Sequence, residues 1–155
     1  MAEQISAGLP PVSIRVSDDA HAVLAAQHGR ALAARLGFSV VEQTACSTAI
    51  LEIARNIVKY AGAGEVTFQA VEDGEQVGIV VVACDNGPGI ADVNLALQDG
   101  YSTGGGLGLG LPGARRLMDS FQIVSRPGQG TTVVMQKWRS AAPVREHASS
   151  SRGRP

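Results

Sequence analysis

Asp85 stands at the end of an apolar run and opens the segment Asp85-Asn-Gly-Pro-Gly89, and a second glycine-dense segment, Gly104-Gly-Gly-Leu-Gly-Leu-Gly110, follows. A carboxylate at the end of an apolar strand accepts the exocyclic amine of adenine, and glycines, lacking a Cβ, let backbone N–H groups close on phosphate oxygens. The two segments therefore describe a nucleotide pocket from both ends and point to ATP. Upstream, Glu52, Asn56 and Lys59 fall one turn apart on a stripe beside Ile50, Ile53 and Ile57, which recur at helical spacing and face inward. Hard Mg²⁺ keeps several waters and takes one or two protein oxygens plus phosphate oxygens, so Asn56 with nearby Glu52 is a sufficient protein contribution, and Lys59 then meets phosphate. Alone, the stripe also fits a solvated helix face laced by surface pairs. The pocket downstream decides for chemistry.

The glycines admit other assignments that the context rejects. Gly108-Leu-Gly-Leu-Pro-Gly113 spells a dinucleotide fingerprint, but no strand leads into it and no βαβ unit with an acidic residue about 20 positions on follows. No Gly-Lys-Ser or Gly-Lys-Thr occurs, so a Walker loop is absent from the sequence. What remains is a lid over residues 99–106 that leads into a helix beginning near Leu107, whose free N–H groups and dipole favour anions.

The elements that must position these groups follow from periodicity and punctuation. Val12–Val16 alternates as a short strand, and Ser17 is placed to cap a long Ala- and Leu-rich helix that Gly37 ends. Ser39-x-x-Glu42 reads as a capping box opening a second helix that runs to about Tyr60 and stops before Gly62. Residues 66–72 and 77–83 form two strands joined around Asp73-Gly74, residues 92–98 hold one or two helical turns, and helical spacing returns over 107–120. A last hairpin joins 121–125 to 131–138 across Pro127-Gly-Gln-Gly130. The sum is an α/β (α+β) two-layer sandwich, a mixed, mostly antiparallel sheet covered by helices on one face.

Length and composition bound the remainder. The 155 residues, 45% hydrophobic and 17% charged, fit one globular domain with a real core, expected over residues 12–138, with a flexible N-terminus over 1–11 and a disordered tail over 139–155. The formal net charge of -1 gives no basic field for nucleic acid, and Arg115-Arg116 cannot supply one. No run approaches the roughly 20 apolar residues that span a bilayer and no leader precedes the domain, so a cytoplasmic protein without a membrane partner is expected. Cys46 and Cys84 are far from a disulfide framework or a metal cluster and read as two buried thiols.

These residues carry a resemblance. Glu52-x-x-x-Asn56, Asp85-x-Gly87-x-Gly89, Gly104-x-Gly106-x-Gly108 and Gly130-Thr131 resemble, in order, the four nucleotide motifs of the Bergerat-fold (GHKL) ATPases and kinases, which include DNA gyrase, Hsp90, sensor histidine kinases and anti-sigma-factor kinases. The stretches 50–60 and 106–119, with Lys137-Trp138, are most similar to stressosome switch serine/threonine kinases of the RsbT type. The resemblance implies that Asp85 accepts the adenine amine and Thr131 assists through water. It further implies that Asn56 holds Mg²⁺, and that Gly104, Gly105, Gly106, Leu107, Gly108, Leu109 and Gly110 wrap the phosphates, with Gly87 and Gly89 shaping the base end. Glu52 then acts as base or orients the acceptor hydroxyl. Phosphoryl transfer asks more for alignment and charge neutralisation than for proton abstraction, so positioning dominates. The 14 residues, 90 to 103, between the two glycine segments leave room only for a short lid, which lets a protein acceptor reach the γ-phosphate.

The same resemblance implies phosphorylation of Ser or Thr on STAS-domain partners and, on release, activation of a PP2C-type phosphatase. Three alternatives stay open: an anti-sigma factor kinase, a histidine-kinase catalytic fragment (Asn56-x-x-Lys59-Tyr60), and a nucleotide-dependent binding module with little catalysis.

Overall fold

The computed structural model describes residues 5–6, 8–98 and 110–140. Ten elements follow one another: β1 (Ile5–Ser6), β2 (Val12–Val16), α1 (Asp19–Arg35), α2 (Val40–Ala61), β3 (Gly64–Asp73), β4 (Gln76–Asp85), α3 (Val93–Ala96), α4 (Gly110–Leu117), β5 (Ser120–Ser125) and β6 (Thr131–Trp138). The strands form one six-stranded sheet in the order β1-β3-β4-β6-β5, with β2 also paired to β3. Every pairing is antiparallel, so the mixed sheet anticipated from sequence is antiparallel throughout the described residues.

Local chemistry fixes the helices. The Ser39 hydroxyl accepts the Glu42 N–H (3.1 Å) while the Glu42 carboxylate accepts the Ser39 N–H (2.8 Å), completing the anticipated capping box of α2. At the start of α1, Asp18 rather than Ser17 is the cap, its carboxylate accepting the His21 N–H at 2.8 Å, while the Ser17 hydroxyl turns to His21 Nδ1. A carboxylate accepts more strongly than a hydroxyl at the positive end of the helix, and Asp18 directly follows Ser17.

Strand alternation sends Val66 and Phe68 of β3, Ile79, Val81 and Ala83 of β4, and Val133 and Met135 of β6 to the helix-covered face, where Ile50, Ile53 and Ile57 of α2 meet them. Each buried Val, Ile, Phe or Met side chain among them contributes about 1.5–3 kcal/mol. Helix α1 presents a stripe of small residues, Ala22, Ala25, Ala26, Gly29 and Ala33. A Cβ at Gly29 would collide with Ile50 Cδ1, so the missing side chain is what lets α1 lie close on α2. The opposite face of the sheet carries Cys84, which is exposed. Only Cys46 is a buried thiol, and burial pushes it up to about 11, where it is inert.

Pairing with the domain is seen on both sides of residues 12–138. Ile5–Ser6 pairs with Glu72 and Val71 of β3, inside the stretch expected to be a flexible N-terminus. After β6, Arg139 donates from its backbone to the Val77 carbonyl (2.7 Å) and from its guanidinium to the Leu36 carbonyl (2.7 Å). The Ser140 N–H and hydroxyl both donate to the Glu42 carboxylate. Burial works to raise the Glu42 pKa, but the hydrogen bonds from Ser140 and Ser39 outweigh it and hold the carboxyl below its ordinary value.

Candidate functional site

Asp85 is the last residue of β4, and the alternation that buries Val81 and Ala83 puts its side chain on the same, helix-covered face. Antiparallel register then brings Thr131 of β6 directly opposite Asp85, and Ser125 of β5 directly opposite Thr131. Three polar residues thus form one row across the end of the sheet. The Asp85 carboxylate accepts the Gly87 N–H (2.9 Å) and the Thr131 N–H (3.2 Å), both on Oδ1. The second oxygen is left to accept from a ligand, and Asp85 lines the cavity that opens here.

That cavity has a volume of about 850 Å³ and lies between α2 and the loops at the end of the sheet. Ile53, Ile57, Ala83, Ile90, Leu95 and Val133 give it an apolar lining, with Asp85 and Thr131 at one part of the wall and Glu52, Asn56 and Lys59 at another. An apolar slot with a few convergent polar groups is the usual form of a small-molecule site. The stripe anticipated on α2 is therefore brought to the same cavity as Asp85. Glu52 Oε2 accepts the Gly110 N–H at 3.1 Å, so one carboxylate oxygen is spent on the first turn of α4. Lys59 is exposed, its ammonium 5.1 Å from the Tyr60 ring centroid.

Two loops close the base end, and the glycines are what allow it. A Cβ at Gly87 would stand 2.6 Å from Ala61 Cβ at the end of α2. Gly89, at φ +78°, lies against the Arg126 carbonyl, and Gly130, also at φ +78°, lies against the Asp85 carbonyl. The Gly128 N–H donates to the Pro88 carbonyl at 2.8 Å. The loop after β4 is thereby zipped to the β5–β6 turn, and Gly87 and Gly89 serve backbone packing around the cavity as well as its shape.

Of the remaining site residues read from sequence, Gly110 is the first residue of α4, while Gly104, Gly105, Gly106, Leu107, Gly108 and Leu109 lie outside the described residues. Sequence reasoning missed Ile90, Leu95 and Ser125. Ile90 and Leu95 supply apolar wall from the loop and short helix after the first glycine segment, a stretch whose side chains have no periodicity to give them away. Ser125 is legible only through register, as the residue opposite Thr131.

The donor set fits a magnesium nucleotide. The Asn56 amide and the Glu52 carboxylate are hard oxygen donors beside Lys59, and no group of three or more His, Cys, Asp or Glu stands together among the described residues. A divalent ion held here would draw most of its ligands from phosphate and water, which is the habit of Mg²⁺.

A helix-covered antiparallel sheet whose last rows hold an acceptor carboxylate over a glycine-shaped cavity defines an ATPase class. Residues 41–141 match the family of histidine kinase-, DNA gyrase B- and HSP90-like ATPases, and the chain belongs to that family. Within it the chain is 46% identical over 125 residues to the serine/threonine-protein kinase RsbT of Bacillus subtilis (strain 168), covering 81% of this chain and 94% of that one. It is 31% identical over 114 residues to the anti-sigma F factor of Thermoanaerobacter sp. (strain X514), covering 70% and 78%. Among solved structures, the RsbU and RsbW domains of Rv1364c from Mycobacterium tuberculosis share the fold with a TM-score of 0.57 at 22% identity, over 88% of this chain and 35% of that one. No helix among the described residues is long and apolar enough to cross a membrane.

Proposed function

We propose that this chain is a Mg²⁺- and ATP-dependent serine/threonine protein kinase that phosphorylates STAS-domain partner proteins and, once released by them, binds and activates a PP2C-type phosphatase. The observation that carries the reading is the joining, in one cavity, of the Asp85–Thr131 row with the Glu52, Asn56 and Lys59 stripe, in a chain 46% identical to a serine/threonine-protein kinase. Asp85 accepts the adenine amine, and Thr131 takes part through water. Asn56 is the protein ligand for Mg²⁺, and Lys59 meets phosphate. Mg²⁺, when bound, supplies neutralisation of the charge on the transferring phosphoryl group.

The chain's own residues then align the acceptor. Glu52 is held at the N-terminus of α4 by the Gly110 N–H, which orients its carboxylate toward an incoming hydroxyl rather than leaving it free to rotate. The glycine segment 104–110 wraps the phosphates. A protein acceptor binds through the surface of this domain.

The test is incubation with γ-labelled ATP, Mg²⁺ and purified STAS-domain proteins. Acid-stable label on Ser or Thr is expected. Acid-labile label points to a histidine acceptor, and no label on any acceptor despite ATP binding leaves a nucleotide-dependent binding module; either overturns the proposal. The likeness to an anti-sigma F factor favours one second reading, an anti-sigma factor kinase. Capture of a sigma factor by the tagged chain in place of a phosphatase supports that reading.

A further inference from the structure

Ser125 belongs to none of the motifs that define the site, yet it sits where three parts of the adenine end meet. Its hydroxyl accepts the Ile90 N–H from the loop after β4 at 2.7 Å, donates to the Gly130 carbonyl in the β5–β6 turn at 3.1 Å, and contacts the Thr131 hydroxyl at 2.7 Å. A hydroxyl owns one proton and two lone pairs. The Gly130 carbonyl can only accept, so the Ser125 proton goes there. One lone pair is taken by Ile90, and the other must receive the proton of Thr131. The reverse orientation, Ser125 donating to Thr131, strips the buried Gly130 carbonyl of this donor.

Thr131 lines the cavity, and with its only proton turned toward Ser125 it faces the cavity as an acceptor alone. Its cross-strand neighbour Asp85 is an acceptor as well, because Oδ1 already holds two N–H groups and Oδ2 has no proton to give when the carboxylate is ionised. We infer that Ser125 is a specificity-determining positioning residue: by taking the Thr131 proton it makes the base end of the cavity a wall of acceptors that favours a 6-amino purine over a 6-oxo purine. The inference rests on the adenine-site reading above and adds the residue that sets the polarity of that site. Without Ser125, the Thr131 hydroxyl is free to rotate and donate into the cavity, where a 6-oxo group accepts it.

The experiment compares Kd for ATP and inosine triphosphate by calorimetry in the full chain and in Ser125→Ala, Ser125→Thr and Thr131→Val. The wild-type chain is expected to prefer ATP. Ser125→Ala should narrow the preference about five- to tenfold, the size of one net hydrogen bond. Ser125→Thr retains a hydroxyl on an extended residue and should restore the preference. Thr131→Val keeps every bond of Ser125 to Ile90 and Gly130 and removes the polarised hydroxyl, so it should narrow the preference likewise, and it serves where Ser125→Ala does not fold. An unchanged ratio in either the Ala or the Val variant, an equal loss of both nucleotides, or a wild-type chain indifferent to the 6-substituent overturns the inference while leaving the ATP site standing. A wild-type chain that binds neither nucleotide overturns the adenine-site reading itself.

Discussion

Replacing Asp85 with Asn separates the structural from the ligand-facing duty of this residue. The two N–H groups that Asp85 accepts, from Gly87 at 2.9 Å and Thr131 at 3.2 Å, converge on one oxygen. An amide oxygen can take over that position, so the strand end and the loop after it should survive. The other oxygen becomes an NH₂ group, which presents a donor to the adenine amine where a charged acceptor stood. Loss of a charge-assisted hydrogen bond costs about 1.5–3 kcal/mol, and that corresponds to a roughly 10- to 150-fold rise in Kd. Calorimetric titration of ATP into wild-type and Asp85→Asn protein, with circular dichroism melts to confirm folding, measures it. A folded variant that binds ATP with unaltered affinity removes Asp85 from the base contact and refutes the reasoning.

Asn56→Ala should leave the fold intact, since Ala is the best helix former, while Mg²⁺-dependent phosphate transfer falls at least about 100-fold; a transfer assay across a Mg²⁺ series checks it. Gly130→Ala forces a side chain into φ +78° against the Asp85 carbonyl and should destabilise by at least about 2 kcal/mol, a fall in Tm of roughly 4–8 °C in a thermal melt. Glu42 titrates below its ordinary value of 4.5 in the folded protein, so the stability it contributes is present above that value and is lost as pH falls through the lower, folded value. Glu42→Gln should therefore lower the urea midpoint at pH 7 and flatten its fall between pH 5 and 3, and equal acid sensitivity in both proteins would contradict the clasp on Ser39 and Ser140.

Short-range chemistry was the legible part. The Ser39 and Glu42 pair marks its helix within four positions, the Ile50, Ile53 and Ile57 spacing selects the buried face of that helix, and Pro127-Gly-Gln-Gly130 declares the last hairpin. Asp85 was visible because a carboxylate ending an apolar run is unusual in itself. Less was legible where faces or partners depend on distant segments. The run before Asp85 is apolar on both sides of the strand, so nothing in it marks Cys84 as pointing away from the helices. The Arg139 and Ser140 anchors are set by Leu36, Val77 and Glu42, far upstream, and composition reports none of that. Ser125 gains its place from two successive strand registers, and a one-residue slip in either would turn it to the other face.

A magnesium nucleotide is expected in the cavity beneath α2 with its base at the Asp85–Thr131 row and its phosphates toward Asn56. A crystal structure of the chain with Mg²⁺ and a non-hydrolysable ATP analogue tests it most directly. The expected result is the adenine amine within hydrogen-bond distance of Asp85 Oδ2 and a metal ion on the Asn56 side-chain oxygen. An analogue bound with its base away from Asp85, or a cavity left empty at saturating nucleotide, would contradict it.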